Sequence, residues 1–390
     1  MIHEALAERY VMNPDTIEHA PRGQVIRLET PFRQRNTSAR QAALMQRFAV
    51  ARRSVDDVFW MKENAELLGV FEATGAQITS QALEVYAPFY EDLDHRVGFF
   101  PQYYRFFLSL ALDIEALGMA GESAERLVHW VARSGLIDAE LSDLQRAEAR
   151  RLCVRRGVDP VVDASLDDRL RSFIAREATF ALPNKKAAYE LTHIVFYLSE
   201  YGRRDPQLGK AACQSLRHAG TLAFLELNVD LLSEICIALR FAGETPPRIW
   251  ERWLRDQVRR FAVEPIEGPV GHSIPQDDYH PWLMLNWFMD VSGQGGFGQE
   301  MPEGSVIFAA PKPCAGPLRE LSDSIYKLGD QRSGEWAAMR EGVGEALSDE
   351  ARNVLLAAEE AVDFDRFFRG FARATGPAQM SGLARREGAL

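Results

Sequence analysis

The chain has 390 residues, 46% of them hydrophobic, and a formal net charge of −11. The length suggests about two to three domains, a soft prior, because stacked helical hairpins close into one unit of this size. The acidic balance speaks against wholesale binding to a phosphate backbone, so no nucleic-acid partner is expected.

Residues 1–40 read as an irregular segment, punctuated by Pro14, Pro21, Gly23 and Pro31, with a short strand at Gln24–Leu28. Met1–Tyr10 is charged and lacks a signal-peptide core. From about Gln41 apolar residues recur at helical spacing, and residues 41–375 read as one helical domain. Helices are expected at Ser80–Tyr90, Pro101–Ala120, Glu122–Ser134, Ser142–Arg156, Asp167–Ala178, Lys185–Tyr201, Pro206–Ala219, Thr221–Ala242 and Arg248–Phe261. Gly135, Gly157, Gly202, Gly220 and Gly243 lie just beyond several of them, where a left-handed cap suits glycine.

The pattern breaks at about 263–317, a Gly/Pro-rich excursion around one apolar helix, Pro281–Val291, with a strand at Val306–Ala310 and a mobile loop at Ser292–Gly298. Helix resumes to about Thr375, and 376–390 is a polar tail. Phe364, Phe367, Phe368 and Phe371 fall on one helical face, which suits a terminal helix docked on the body better than one lying on a membrane. The fold class is therefore mainly all-α, an α/α-hairpin toroid or solenoid.

No stretch approaches the roughly 20 apolar residues that span a bilayer, so no integral membrane association is expected. Cys153, Cys213, Cys236 and Cys314 are far apart and form no CxxC pair, which speaks against a zinc knuckle or disulfide framework. The expected location is the cytoplasm.

Three segments carry chemistry. In Lys185–Gly202, Glu190, His193, Tyr197 and Glu200 form a polar stripe beside an apolar one. That set suits metal ligation or proton transfer; the structural alternative is a buried polar seam. In Glu226–Gly243, Glu226, Asp230 and Glu234 are spaced by four, and like charges so placed repel unless a proton or cation intervenes; otherwise they form a solvated acidic face. In Pro275–Asp290, Asp277 or Asp278 can cap a helix that starts near Pro281, placing His280 at its mouth.

The segment Thr192-His-Ile-Val-Phe-Tyr-Leu-Ser-Glu-Tyr-Gly202 resembles part of an uncharacterised bacterial family, which also accommodates Asp230–Glu234 and Tyr279-His280. More locally, Asp278-Tyr-His280 before an apolar helix resembles the β subunits of protein prenyltransferases. That resemblance implies an α/α toroid and a zinc ion held by Glu234, Cys236 and His280, with Glu234 standing where that family has Asp. Yet mid-helix residues two apart point about 200° apart.

The expectation is an enzyme that modifies a small organic or peptide-like substrate, by acid/base or metal-assisted transferase, cyclase or lyase chemistry. His193, Tyr197, Asp230, Glu234 and His280 would be catalytic, with Tyr197 orienting His193, and a divalent metal such as zinc is the candidate cofactor. The alternative is a non-catalytic helical scaffold that binds a protein partner.

Overall fold

The structure, a computed structural model, describes residues 36–270, 277–311 and 316–374. The chain divides into two compact units, Met1–Gln34 and Arg35–Leu390, and the description concerns the second. The strand expected at Gln24–Leu28, the polar tail and Cys314 lie outside the described residues.

Helix dominates, as expected. The first helix, α1 (Thr37–Gln46), is capped by Asn36, whose side chain accepts the Ala39 N–H at 2.8 Å, and it runs on through a wide turn at Arg47–Ala51. Then come α2 (Val58–Ala73), α3 (Tyr104–Ala116), α4 (Ser123–Ser134) and α5 (Asp143–Val154). The α4 helix stops at Gly135 in the left-handed conformation (φ 71°), as its sequence predicts.

The middle of the chain supplies α6 (Lys185–Leu198), α7 (Lys210–Leu225), α8 (Val229–Phe241) and α9 (Arg248–Val258). They are followed by β1 (Ala262–Ile266), α10 (Tyr279–Val291) and β2 (Ser305–Ala309). The chain ends with α11 (Asp349–Ala361) and α12 (Phe364–Phe371) among its last helices. Among the described residues no helix is long and apolar enough to cross a membrane.

The α8 helix is the hub. It packs against α6, α7, α9 and α10, and Leu231 through Leu239 are all buried. A helix that is buried on every side belongs at the centre of a bundle. Its four neighbouring helices thus enclose it along most of its length.

One expected helix is divided differently. The sequence suggests a stop at Gly220 and one helix over Thr221–Ala242. Instead α7 runs straight through Gly220, where an added Cβ would lie 2.4 Å from the Trp250 ring. Glycine serves there for close approach, not as a cap. The real break is at Leu227, with φ 55°, and Asn228 starts α8 by accepting the Leu231 N–H at 3.1 Å. Asn228→Ala should lower the unfolding free energy by about 1 kcal/mol. Urea unfolding with an unchanged slope tests this, and no loss would mean that the cap is idle.

The excursion is more ordered than its glycines and prolines suggest. β1 pairs antiparallel with β2, Ala262 opposite Ala309 and Pro265 opposite Val306. In a two-stranded ribbon each strand is an edge, which is where proline is tolerated. Within the Ser292–Gly298 loop the Phe297 N–H donates to Asn286 Oδ1 at 2.7 Å, and the Phe297 ring is buried against Phe71 and Trp282. The two aspartates before α10 do not bond to its first turn. Asp277 Oδ1 accepts the Phe308 N–H at 3.1 Å and Asp278 Oδ2 the Ala310 N–H at 2.9 Å, which ties the start of α10 to β2.

The four phenylalanines of α12 are all buried, so this helix is docked on the body. Phe367 meets the ring of His218, itself buried, with Nδ1 3.3 Å from the Glu177 carbonyl and Nε2 without a hydrogen-bond partner among the described residues. Burial holds the His218 pKa below its usual 6.5, against the Glu177 carbonyl and the charges of Glu177 and Asp363, with Arg366 reinforcing the depression. A folded pKa below the unfolded one means that the unfolded chain binds the proton first. This contribution is complete above about pH 6.5 and is lost as pH falls from there through the depressed value. His218→Gln should flatten the fall in stability over that window, read from urea midpoints across pH. An unchanged slope would place the titration elsewhere.

Candidate functional site

Two helices and one helix start build the site. On α8, Asp230 and Glu234 are one turn apart and face α6 and α10. On α6, Tyr189, Thr192 and His193 fall at i, i+3 and i+4, one face directed at that carboxylate pair. His280 sits in the first turn of α10, which packs along α8.

The contacts are close. The Tyr189 hydroxyl donates to Asp230 Oδ2 at 2.6 Å, and the Thr192 hydroxyl donates to Glu234 Oε2 at 2.6 Å. His280 Nδ1 lies 2.8 Å from Asp230 Oδ1, and its Nε2 is 3.8 Å from Glu66. His193 Nδ1 lies 2.8 Å from the Tyr189 carbonyl oxygen and 3.8 Å from Glu234. A carbonyl oxygen only accepts, so Nδ1 carries a proton, and the neutral ring has its lone pair on Nε2. Glu234 is fully buried, and its second oxygen, Oε1, has no hydrogen-bond partner among the described residues.

These environments set the charges. Burial raises the Asp230 carboxyl, but the hydrogen bond and charge of His280 and the Tyr189 hydroxyl outweigh it, and the pKa ends below the usual 3.8. Burial also works against a charged His280, yet Asp230 and Glu66 push its pKa up to about 9. Burial dominates at Glu234, whose carboxyl is raised despite His193 and His280. One carboxyl held low and its neighbour held high is the pattern by which sites separate acid from base.

Above this cluster is a cavity of about 150 Å³, lined by Glu66, His193, Tyr197, Glu234, His280 and Trp287 among others. Arg105 and Arg151 border it too, paired with Glu140 and Glu200 respectively. A larger hollow of about 610 Å³, bordered by Thr37, Gln77, Arg203 and Asp290, lacks such a cluster.

The structure thus brings together His193, Asp230, Glu234 and His280, as much as 87 residues apart in sequence. Tyr197 lines the same cavity but does not orient His193. Its ring stands edge-on to the imidazole at 6.0 Å, and the Tyr189 carbonyl does the orienting. Cys236 does not join Glu234 and His280. Two residues along a helix it points to the other side, fully buried, with Glu251 and Arg240 as its nearest charges. Asp230 takes the third place instead. Glu226 pairs with Lys185 at 2.9 Å, and Glu200 with Arg151 at 3.4 Å, both outside the cluster. Sequence reasoning missed Tyr189, Thr192 and Glu66. The first two were open to it, since their i, i+3, i+4 spacing with His193 marks one helical face. Glu66 gives no local signal.

The fold and the cluster define a helical protein with a charged, hydrogen-bonded group of side chains at the floor of a small cavity. Residues 22–374 match the family of a domain of unknown function, DUF6902, and the chain belongs to that family. No curated protein and no solved structure matches it.

Proposed function

We propose that this protein is an enzyme that acts on a small organic molecule, or on one reactive group of a peptide-like one, by acid/base chemistry in the cavity above Glu234. The observation that carries this reading is the imidazole of His193. Its Nδ1–H is fixed by the Tyr189 carbonyl, its side chain is 37% exposed, and it lines the cavity beside a fully buried carboxyl. A histidine held in one tautomer, with the other nitrogen open to a cavity, is arranged to take and return a proton. Two titratable neighbours with opposed pKa shifts point the same way. The volume suits a small substrate, since a drug-sized ligand needs about 300–1,000 Å³. A transferase, cyclase or lyase step is the reaction class this favours, with His193 as the proton carrier and the His280–Asp230 pair as a fixed charge beneath it.

The scaffold alternative has one observation in its favour, the exposed rings of Phe99 and Phe100, 4.7 Å apart. Two rings fall short of the several hundred Å² of apolar patch that marks a binding surface.

The test incubates purified full-length protein with a pooled small-metabolite mixture and follows masses over time. Wild type should consume at least one mass and produce another. A His193→Ala protein with the same melting temperature should not. Equal conversion by the two proteins overturns the role of His193, and no conversion by wild type leaves the scaffold reading in place.

A further inference from the structure

We propose that Asp230, Glu234 and His280 hold a divalent first-row transition-metal ion at the floor of the cavity. This deepens the reading above and rests on it for the ion's purpose, though not for its binding. One donor atom from each residue lies within 4.8 Å of the other two. In a tetrahedral site donors about 2.1 Å from one ion lie about 3.4 Å apart, so side-chain adjustments of about an ångström would close the set.

A second observation is independent of that clustering. Glu234 lines the cavity, and its Oε1 is buried with no hydrogen-bond partner among the described residues. A dry, unpartnered carboxylate oxygen is costly, and native structures seldom leave one without a purpose. The surrounding donors sharpen the point. Tyr189 occupies Asp230 Oδ2 and Thr192 occupies Glu234 Oε2. Each carboxylate is thereby oriented by an outer hydroxyl, and Glu234 is left with one oxygen free, the usual way in which outer partners aim metal ligands. The ion would take the place of the proton that lies between His280 Nδ1 and Asp230 Oδ1, and that proton would leave to solvent.

The donor chemistry narrows the ion. One imidazole and two carboxylates, with no thiolate, suit zinc, manganese or ferrous iron. Calcium and magnesium prefer all-oxygen sites, and cuprous copper prefers sulfur. Three protein ligands leave at least one position open toward the cavity, where a substrate oxygen or a water could bind beneath His193.

The experiment strips purified full-length protein with a chelator and dialyses it against Zn²⁺, Mn²⁺ or Co²⁺, with bound metal measured by mass spectrometry. Wild type should retain about one ion per chain and melt at a higher temperature with it. Glu234→Gln and Asp230→Asn should each weaken retention at least tenfold, and Cys236→Ala should retain the ion fully. Where a variant fails to fold, the Co²⁺ spectrum of wild type decides. Absorption from nitrogen and oxygen ligands without a thiolate charge-transfer band supports the site, and such a band overturns it in favour of Cys236. Sub-stoichiometric binding by wild type also overturns it, as does full retention by Glu234→Gln. His193→Ala should still bind the ion. Metabolite turnover that survives in demonstrably metal-free wild type would overturn the ion's part in turnover and leave the acid/base reading standing.

Discussion

Replacing Arg52 with alanine should lower the unfolding free energy by about 3–5 kcal/mol, the range found when one member of a buried ion pair is removed. Arg52 is fully buried. Its Nε donates to Glu63 at 3.0 Å, Nη2 donates to Asp277 at 2.6 Å, and Nη1 donates to the Val306 carbonyl. The guanidinium also lies 5.0 Å from the Phe48 ring and 5.1 Å from that of Phe308. Glu63 would keep Arg53, but Asp277 would lose its one ion-pair partner among the described residues, in a place almost closed to water. That asymmetry puts the loss nearer the lower end of the range.

The consequence reaches the site, because Asp277 stands three residues before His280 and joins β2 to the start of α10. Arg52→Lys should recover only part of the loss, since an ammonium cannot present three donors in one plane. Equilibrium urea unfolding of the two variants is the measurement. A loss below about 1 kcal/mol for Arg52→Ala would mean that the aspartate finds water or another partner, and that the network is not what fixes α10.

Arg52 also marks where the sequence stopped being readable. Its segment carries helical periodicity and nothing more, and its partners are 11, 225 and 254 residues away. What periodicity could supply, it supplied: the dominance of helix, the left-handed stop at Gly135, the docked face of α12 and the apolar run that became α10. The errors came where one residue type has two physical uses. Gly220 reads as a cap because glycine often caps, but here it admits Trp250. Pro265 reads as a loop because proline lacks an N–H, but a two-stranded ribbon has no inner edge to require one. Asp277 and Asp278 read as caps, while their side chains hold β2.

The candidate site divides along the same line. Asp230 and Glu234 stand out locally because two carboxylates one turn apart repel unless something intervenes. His193 and His280 stand out by their neighbours. That all four meet depends on α6 and α10 packing side by side against one polar turn of α8, and no local rule contains that fact. The resemblance implies Cys236 as a ligand, and helix geometry turns it away. Tyr189 is the instructive omission. Its carbonyl sets the tautomer of His193 and its hydroxyl holds Asp230, so one residue of α6 orients groups from two elements.

His193→Ala should abolish turnover, by about 10²–10⁴-fold, while the melting temperature stays the same or rises. The first half follows from the usual contribution of a positioned acid or base. The second follows from what His193 contacts. It makes no apolar plug in the core; its ring is partly exposed, tilted against Phe196 and edge-on to Tyr197, and its one close hydrogen bond goes to a carbonyl of its own helix. Truncation removes little buried area and leaves no polar partner stranded, since the Tyr189 carbonyl keeps its i+4 backbone N–H partner within α6. Ala is also the better helix former in the middle of α6. A residue that serves chemistry and not packing can be removed with a gain in stability. Thermal melts and turnover measured side by side on the same preparations separate the cases. A fall of several degrees with His193→Ala, together with unchanged conversion of the substrate by whatever stays folded, would make this imidazole a structural group and move the search for the proton carrier to Glu234.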